Sequence, residues 1–407
     1  MSVPGPAAGT RLEGPAPRGA VTGSVLGRLR GAHLGMVPIV GALIVIWAVL
    51  GAVNPAFLSA ENLVNLTLQS APVGVIALGV VLVLLVGQID LSVGSVSGLA
   101  AAVLAVGAVN LGWPTGLAAA AALAVGVVVG LGYGALSTRL GLPSFLFTLA
   151  GLLVLAGVQL VVLGPKGSIN LPFESWFVRT VQQGFLPTPV AWTLVVVVVA
   201  GYTALLVVDH LRRVRAGLRG PGTGTAGIAL RSVVLAAVLA AAVAYLGTAR
   251  GVGYTVVLFV ALVAVVDVLL RRTRWGRSVR AVGGDRRSAL LAGVAVRRTV
   301  LSCFVACSTF AALGGVLAAG RLAAANQGTG AADTYLTAIA AAVIGGTSLF
   351  GGRGSAWSAL LGVLVIQSIA NGLTLLNLDT ATRYIATGAV LLLAIVVDML
   401  IRGRREI

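Results

Sequence analysis

From Gly35 almost to the C-terminus, apolar residues come in long runs separated by short polar or basic interruptions. A helix needs roughly 20 such residues to cross a hydrocarbon core. On that measure the runs predict spans at about 35–53, 71–87, 92–109, 115–137, 142–163, 188–208, 232–248, 254–270, 300–320, 334–346, 356–375 and 384–401, with the second, third and tenth short or interrupted. The stretch between the first two, "NPAFLSAENLVNLTLQS", carries no base and is expected to pack as an interfacial segment. The predicted fold class is therefore an all-α polytopic membrane protein of about 12 transmembrane helices, some interrupted.

Composition supports this reading. Apolar residues make up 58% of the 407 and charged residues only 10%, too few to coat a soluble core of that size. The 28 basic against 11 acidic residues give a net charge of +17. A nucleic-acid surface is excluded by their placement, because the arginines cluster in loops between apolar runs without interleaved aromatics. Instead they set orientation: all but Lys166, Arg179, Arg250, Arg321 and Arg383 fall in segments on one side, which predicts cytoplasmic N- and C-termini. Residues 1–34, rich in Pro, Gly, Ala and Arg, read as a disordered cytoplasmic tail, 35–401 as the transmembrane domain and 402–407 as a short cytoplasmic tail. Cys303 and Cys307 share one helix face without a nearby histidine and read as core packing, so no metal is expected.

One apolar run contains its own break, "LVGQIDLSVGS" at 85–95. A buried Asp costs about 2.5–3.5 kcal/mol at a helix centre and needs an internal partner or a function. Gly87 can release the helix; Asp90 then either caps a helix starting near Ser92, where its charge meets the positive dipole end, or contacts a substrate or ion directly. "VIGGTSLFGGRGS" at 343–355 repeats the shape, an apolar run, glycine, small polar residues and a turn into a second apolar run. Two loops are long. "GPKGSINLPFESWFVRTVQQGFLP" reads either as a docking surface or as a short interfacial helix anchored by Trp176 and Phe177. "RRTRWGRSVRAVGGDRRSALLAGVAVRR" predicts a short helix from Arg286 to about Val294, N-capped by Asp285. Its Leu290, Leu291 and Val294 form a narrow stripe suited to a partner's groove, unless the arginines simply hold the loop against membrane lipid headgroups.

"GQIDLSVGS", "LPSFLFTLAGLLVLAGVQLVVLG", "RTRWGRSVRAVGGDRRSALLAGV" and "IGGTSLFGGRGS", in this order, resemble the membrane permeases of bacterial ABC sugar importers of the ribose and xylose type. Family members usually carry Gly where Gln88 stands and Asn where Asp285 stands. An extra helix pair at about 188–250 makes the chain more similar to the xylose type. The resemblance implies a homodimeric pore for a monosaccharide, a pentose such as xylose, fed by a periplasmic or lipid-anchored sugar-binding protein and driven by a cytoplasmic ATP-binding-cassette ATPase. It places ATPase coupling in segment 271–299, on Gly276, Arg277, Gly283, Gly284, Asp285, Arg286, Leu290, Leu291 and Gly293.

The residues themselves agree on one point. A P-loop needs a lysine in G-x-x-x-x-G-K-[ST], and the sole lysine, Lys166, lies in "GPKGS". No nucleophile with its base can be assembled and no cofactor is expected, so energy comes from another subunit or an ion gradient. Candidate pathway residues are polar positions in apolar surroundings: Asn65, Gln69, Gln88, Asp90, Ser92, Ser95, Ser144, Thr148, Gln367 and Asn371, each open to a second reading as interhelical hydrogen-bond glue. The rival functions are an ion-coupled secondary transporter using Asp90, Asp267 or Asp398, a channel or scaffold, and an ABC permease for a nucleoside or other small polar solute.

Overall fold

The computed structural model describes residues 36–217, 224–379 and 381, 382, 385, 386, 388, 389 and 392. The expected tails at 1–34 and 402–407, together with Asp398, lie outside the described residues, as does most of the expected last span, 384–401. The other expected spans coincide with helices: α1 (Val37–Val53), α2 (Ala60–Leu85), α3 (Val93–Ala105), α4 (Thr115–Ala135), α5 (Ser144–Leu163), α7 (Thr188–Arg215), α8 (Thr225–Gly247), α9 (Tyr254–Arg272), α12 (Val296–Leu322), α13 (Ala332–Ile344) and α14 (Trp357–Leu375). Short π turns, Val106–Asn110 and Leu136–Leu140, extend α3 and α4. Among the described residues nine helices are long and apolar enough to cross a membrane; α1 and α13 are shorter apolar helices. Outside the spans lie α6 (Trp176–Gln183), α10 (Arg274–Gly284) and α11 (Arg286–Leu291). Phe177, Val178 and Val181 bury one face of α6 while Trp176 stays exposed.

The second span departs from expectation. It begins at Ala60 rather than near 71, so the expected interfacial segment is mostly its first turns. Ser59 caps it by accepting from the Asn62 N–H at 3.3 Å, and Glu61 in the first turn complements the dipole. The polar residues that broke the apolar run are satisfied internally: Asn62 Nδ2 donates to Phe57 O and to Asn371 Oδ1, both at 2.8 Å, and Ser70 Oγ donates to Leu66 O at 2.7 Å. Pro72 sits inside the helix, where the missing N–H costs one bond.

α2, α3 and α12 form the buried centre, and α12 also packs on α4. The α4–α12 approach needs the glycine series Gly126, Gly130, Gly134: a Cβ on Gly130 would stand 2.5 Å from Val305 Cα, on the partner backbone. Small residues four apart are the usual means of bringing membrane helices this close, because dispersion contacts there replace the hydrophobic effect. Tyr133, Phe147 and Phe304 pack together beside this seam, with ring centroids 5.6, 6.4 and 5.9 Å apart. By contrast α7 and α8, the expected extra pair, lean on each other at the periphery and bury almost nothing else. At the end of the bundle where α12 finishes, β1 (Ser168–Asn170) pairs antiparallel with β2 (Ala324–Asn326).

Candidate functional site: a node of helix breaks

The first break is built by local sequence. At the end of α2, Gly87 takes φ +70°, its N–H donating to Leu84 O at 2.8 Å while the Gln88 N–H donates to Val83 O at 3.1 Å. This pair of bonds is a Schellman stop, which needs a residue free to adopt the left-handed conformation. Residues 89–91 then run without intrahelical bonds, and two hydroxyls on α5 take over. Ser144 Oγ accepts from the Ile89 N–H at 2.9 Å and Thr148 Oγ1 from the Leu91 N–H at 3.3 Å. Thr148 Oγ1 in turn donates to Ser144 O at 2.9 Å. α3 restarts at once: Asp90 Oδ1 accepts from the Ser92 N–H at 2.9 Å and from Ser92 Oγ at 2.7 Å, with Asp90 only 1% exposed. Its other oxygen, Oδ2, and the buried Tyr133 hydroxyl have no hydrogen-bond partner among the described residues. Ser95 Oγ, one turn on, donates to Leu152 O at 2.9 Å, and Gln88 is half-buried, accepting from Ser137 Oγ at 3.4 Å.

The second break repeats this construction. α13 stops with Gly346 at φ +95°, its N–H on Val343 O at 2.8 Å and the Thr347 N–H on Ala342 O at 3.0 Å, the same Schellman pair. α14 restarts with Ser355 Oγ accepting from the Trp357 N–H at 3.3 Å, two residues on, as Asp90 does for Ser92. The loop between is tied by the Ser348 N–H on Arg353 O at 2.9 Å.

A third stop and restart belongs to the arginine-rich segment. Gly276 makes the tight turn out of α9, where a Cβ would collide with Leu270 backbone, and Arg277 is exposed. α10 is capped by Thr273 Oγ1, which accepts from the Gly276 N–H at 3.1 Å, and buries Val279 and Val282. After Gly283 and Gly284, Asp285 caps α11: Oδ1 accepts from the Arg287 N–H at 2.8 Å and Oδ2 from Ser288 Oγ at 2.6 Å. The Ser288 hydroxyl and then the Arg287 N–H hold the Asp285 carboxyl below the usual carboxylate range. α11 ends at Leu291, short of the expected 294, because Gly293 at φ +78° closes another Schellman turn with the Val294 N–H on Ala289 O at 3.0 Å. Leu290 and Leu291 stand 62% and 82% exposed, Val294 half-buried. Arg286 is exposed beside them.

All three breaks meet at one point. The Gly352 N–H donates to Leu85 O at 3.0 Å, crossing from the second break to the first. A Cβ on Gly283 would overlap Leu85 O and come within 2.6 Å of Gly352 N. One on Gly351 would lie 2.8 Å from Gly283 O and 3.0 Å from Gly87 Cα. No side chain separates these backbones, so the end of α10 touches both breaks directly.

The candidate residues thus divide. Gln88, Asp90, Ser92, Ser95, Ser144 and Thr148 gather at the first break, with the last two holding its backbone. Asn65, near the opposite end of α2, accepts from the Arg250 guanidinium, which also lies 5.3 Å over the Phe185 ring. Asn371 accepts from Asn62, and Gln69 and Gln367 are half-buried on α2 and α14. Sequence reasoning missed Asn62, whose signal was a polar residue three positions after a capping serine, and it missed Gly351 and Gly352. Asp267 pairs with Arg271 at 2.8 Å, and Asp209 on α7 with Arg272 at 3.6 Å. Among the described residues no three His, Cys, Asp or Glu come together to hold a metal, and Cys303 and Cys307 are buried free thiols.

Residues 62–395 match the family model described as "Branched-chain amino acid transport system / permease component". The chain is 34% identical to the xylose transport system permease protein XylH of Escherichia coli K12 over 349 residues, 86% of this chain and 87% of the relative. It is 33% identical to XylH of Haemophilus influenzae over 347 residues, 85% and 91% of the two chains. It is 29% identical to the ribose import permease protein RbsC of E. coli K12 over 364 residues, 88% and 91%. No solved structure gives a significant match.

Proposed function

This chain belongs to that family of transport-system permease components, and we propose that it is the membrane-spanning subunit of an ATP-binding-cassette importer for a monosaccharide, a pentose such as xylose. It is a multi-pass protein of the inner membrane. Two copies form the pathway, a periplasmic or lipid-anchored sugar-binding protein delivers the cargo, and a cytoplasmic ATPase supplies energy to a chain that lacks a P-loop of its own. Both termini and the arginine-rich end of the bundle face the cytoplasm in this reading.

The observation that carries the proposal is the contact of α10 with both helix breaks through Gly283, Gly351 and Gly352. α11 is short, capped and presents exposed leucines, so it offers a handle; α10 connects the handle to the points where α2–α3 and α13–α14 are jointed. ATPase closure then tips these jointed pairs between inward and outward arrangements as rigid pieces. Segment 271–299 is the coupling element, with Gly276 setting the angle of α10 against α9 and Arg277, Asp285, Arg286, Leu290, Leu291 and Gly293 shaping the docked surface. The polar residues of the first break line or support the sugar pathway, and Asn65, Gln69, Gln367 and Asn371 serve the other end.

The test is uptake in proteoliposomes carrying the permease, an ATPase and a pentose-binding protein. Pentose accumulation should require ATP and the ATPase and be stopped by vanadate. An ion-coupled secondary transporter is the second reading, favoured only by the unpaired Asp90 Oδ2; uptake that persists without the ATPase and collapses with an ionophore would establish it instead.

A further inference from the structure

We infer that Phe350, in the loop of the second break, is a second docking point for the same ATPase, so that the partner grips the node from both sides. This rests on the reading that a cytoplasmic ATPase docks on α11. Phe350 is 88% exposed, as fully offered as Leu291 at 82%. It is not a loose tip. The Phe350 N–H donates to Ser348 Oγ at 3.2 Å, and the Gly351 N–H reaches Ser348 O at 3.4 Å, so the turn holds the ring outward. The glycines that follow it abut Gly283 and Gly284, which places the ring on the same end of the bundle as α11.

Three occupants fit an exposed ring in general: lipid, a second copy of the chain, or a protein from the aqueous phase. Lipid is disfavoured by position. The loop sits at the end of α2, the most buried of the spans, whereas α7 and α8 expose nearly all of their apolar surface. The ring is thus carried by a loop at the end of the most buried helix rather than on the least buried ones. A second copy is disfavoured by charge. Arg277, Arg280, Arg286, Arg287 and Arg353 are all exposed on the two segments that carry the leucines and the ring, with Asp285 the sole acid in 271–299, so two such surfaces repel each other. What complements this end is a protein with an apolar socket rimmed by carboxylates. An aromatic anchor in a desolvated socket surrounded by a charged rim is the usual form of a binding hot spot.

The mechanical consequence differs from that of α11. Force on α11 reaches the breaks through Gly283, whereas force on Phe350 acts two residues from the Gly352 N–H that holds Leu85 O, inside the second break itself. A partner holding both points controls the separation between α10 and the second break, and hence whether the node is closed.

The full chain offers a clean assay, since its own thiols, Cys303 and Cys307, are both fully buried. Phe350→Cys and Leu291→Cys are placed separately in lipid nanodiscs and their alkylation by a membrane-impermeant maleimide is timed with and without the ATPase. Fast labelling at position 350 alone, slowed about tenfold or more when the ATPase binds, is expected for a hot-spot contact. Slow labelling at 350 without the ATPase means that lipid or another copy covers the ring, and overturns the inference. Unchanged fast labelling at 350 with protection at 291 also overturns it while leaving α11 docking intact. Absence of protection at both positions removes the reading on which the inference rests. In parallel, Phe350→Ala should weaken ATPase affinity by at least about tenfold with the permease still folded; wild-type affinity would count against the second anchor.

Discussion

Gly283 and Gly284 are neighbours at the end of α10, and the node predicts opposite fates for the same substitution. In Gly283→Ala the new methyl would overlap Leu85 O and stand 2.6 Å from Gly352 N. Ordinary contact lies near 3.4 Å or beyond, so clearing Leu85 O requires the end of α10 to retreat by more than about 1 Å, a form of overpacking that costs about 1–3 kcal/mol. Retreat also strains the 3.0 Å bond from the Gly352 N–H to Leu85 O, worth about 1 kcal/mol. Replacing glycine inside a helix returns about 0.5–1 kcal/mol, which leaves a net cost of about 1–3 kcal/mol concentrated at the contact between α10 and the breaks. In Gly284→Ala the methyl meets nothing within 4 Å, and only the helix gain remains. The assay is ATP-driven pentose uptake by reconstituted variants, with ATPase binding measured on the same samples. Gly283→Ala should bind the ATPase yet lose most uptake, while Gly284→Ala behaves as wild type. Equal uptake by the two variants would refute the claim that force crosses the node at Gly283.

Other perturbations probe the parts separately. Ser144→Ala strands the Ile89 N–H in a half-buried segment and should cost about 1–3 kcal/mol, read as a lowered unfolding midpoint in detergent; no shift would show that water replaces the hydroxyl. Asn62→Leu leaves Asn371 Oδ1 and Phe57 O without their donor, a loss of about 1–3 kcal/mol that Asn371→Leu should partly restore in the double variant. Asp285→Asn keeps a capping oxygen and should leave hydrogen exchange at Arg287 and Ser288 near wild type, whereas Asp285→Ala should speed it. Because the folded Asp285 carboxyl titrates below its ordinary range, its cap contribution is complete above the unfolded value and is lost only as pH falls through the lower folded one. Exchange protection at these amides should therefore be flat from neutral pH down into the ordinary carboxylate range, and a decline beginning near pH 6 would contradict the hydrogen bonds to the carboxylate.

Apolar run length located nearly every described span because lipid imposes it locally, residue by residue. The same logic made the Asp285 cap and the stop at Gly87 readable, since both are set by neighbours in sequence. It failed at the start of α2, where Asn62, Asn65, Gln69 and Pro72 look like the end of an apolar run. Those polar groups are acceptable there only because Asn371 and Arg250 arrive to meet the first two, 309 and 185 residues away in sequence. The Gly126, Gly130, Gly134 series was not read from the sequence as a packing seam, and nothing local in it names α12 as the partner. The node was half legible: aligning 85–95 with 343–355 exposed the repeated stop, while the meeting of Gly283 with Gly351 and Gly352 depends on backbones brought together by the whole bundle.

The repetition has a mechanical meaning. An interrupted helix normally strands up to four N–H and four C=O groups at each new end, which is prohibitive in a buried site. Here the stops at Gly87 and Gly346 satisfy their carbonyls by a Schellman turn, α10 ends on the ordinary bond from the Asp285 N–H to Ala281 O, and each restart begins with a side-chain oxygen bonded two residues ahead: Asp90 to Ser92, Asp285 to Arg287, Ser355 to Trp357. Because these bonds lie within each piece, the pieces can rotate about the glycines between them without stranding buried backbone groups. What such a rotation must change includes the bonds that join piece to piece: the hydroxyls of Ser144, Thr148 and Ser137 against the first break, Ser95 against Leu152 O, and the bond from Gly352 to Leu85 across the node. These contacts lie at the end of the bundle where α11 is exposed, which is where the proposed ATPase-worked gate requires the joints to be.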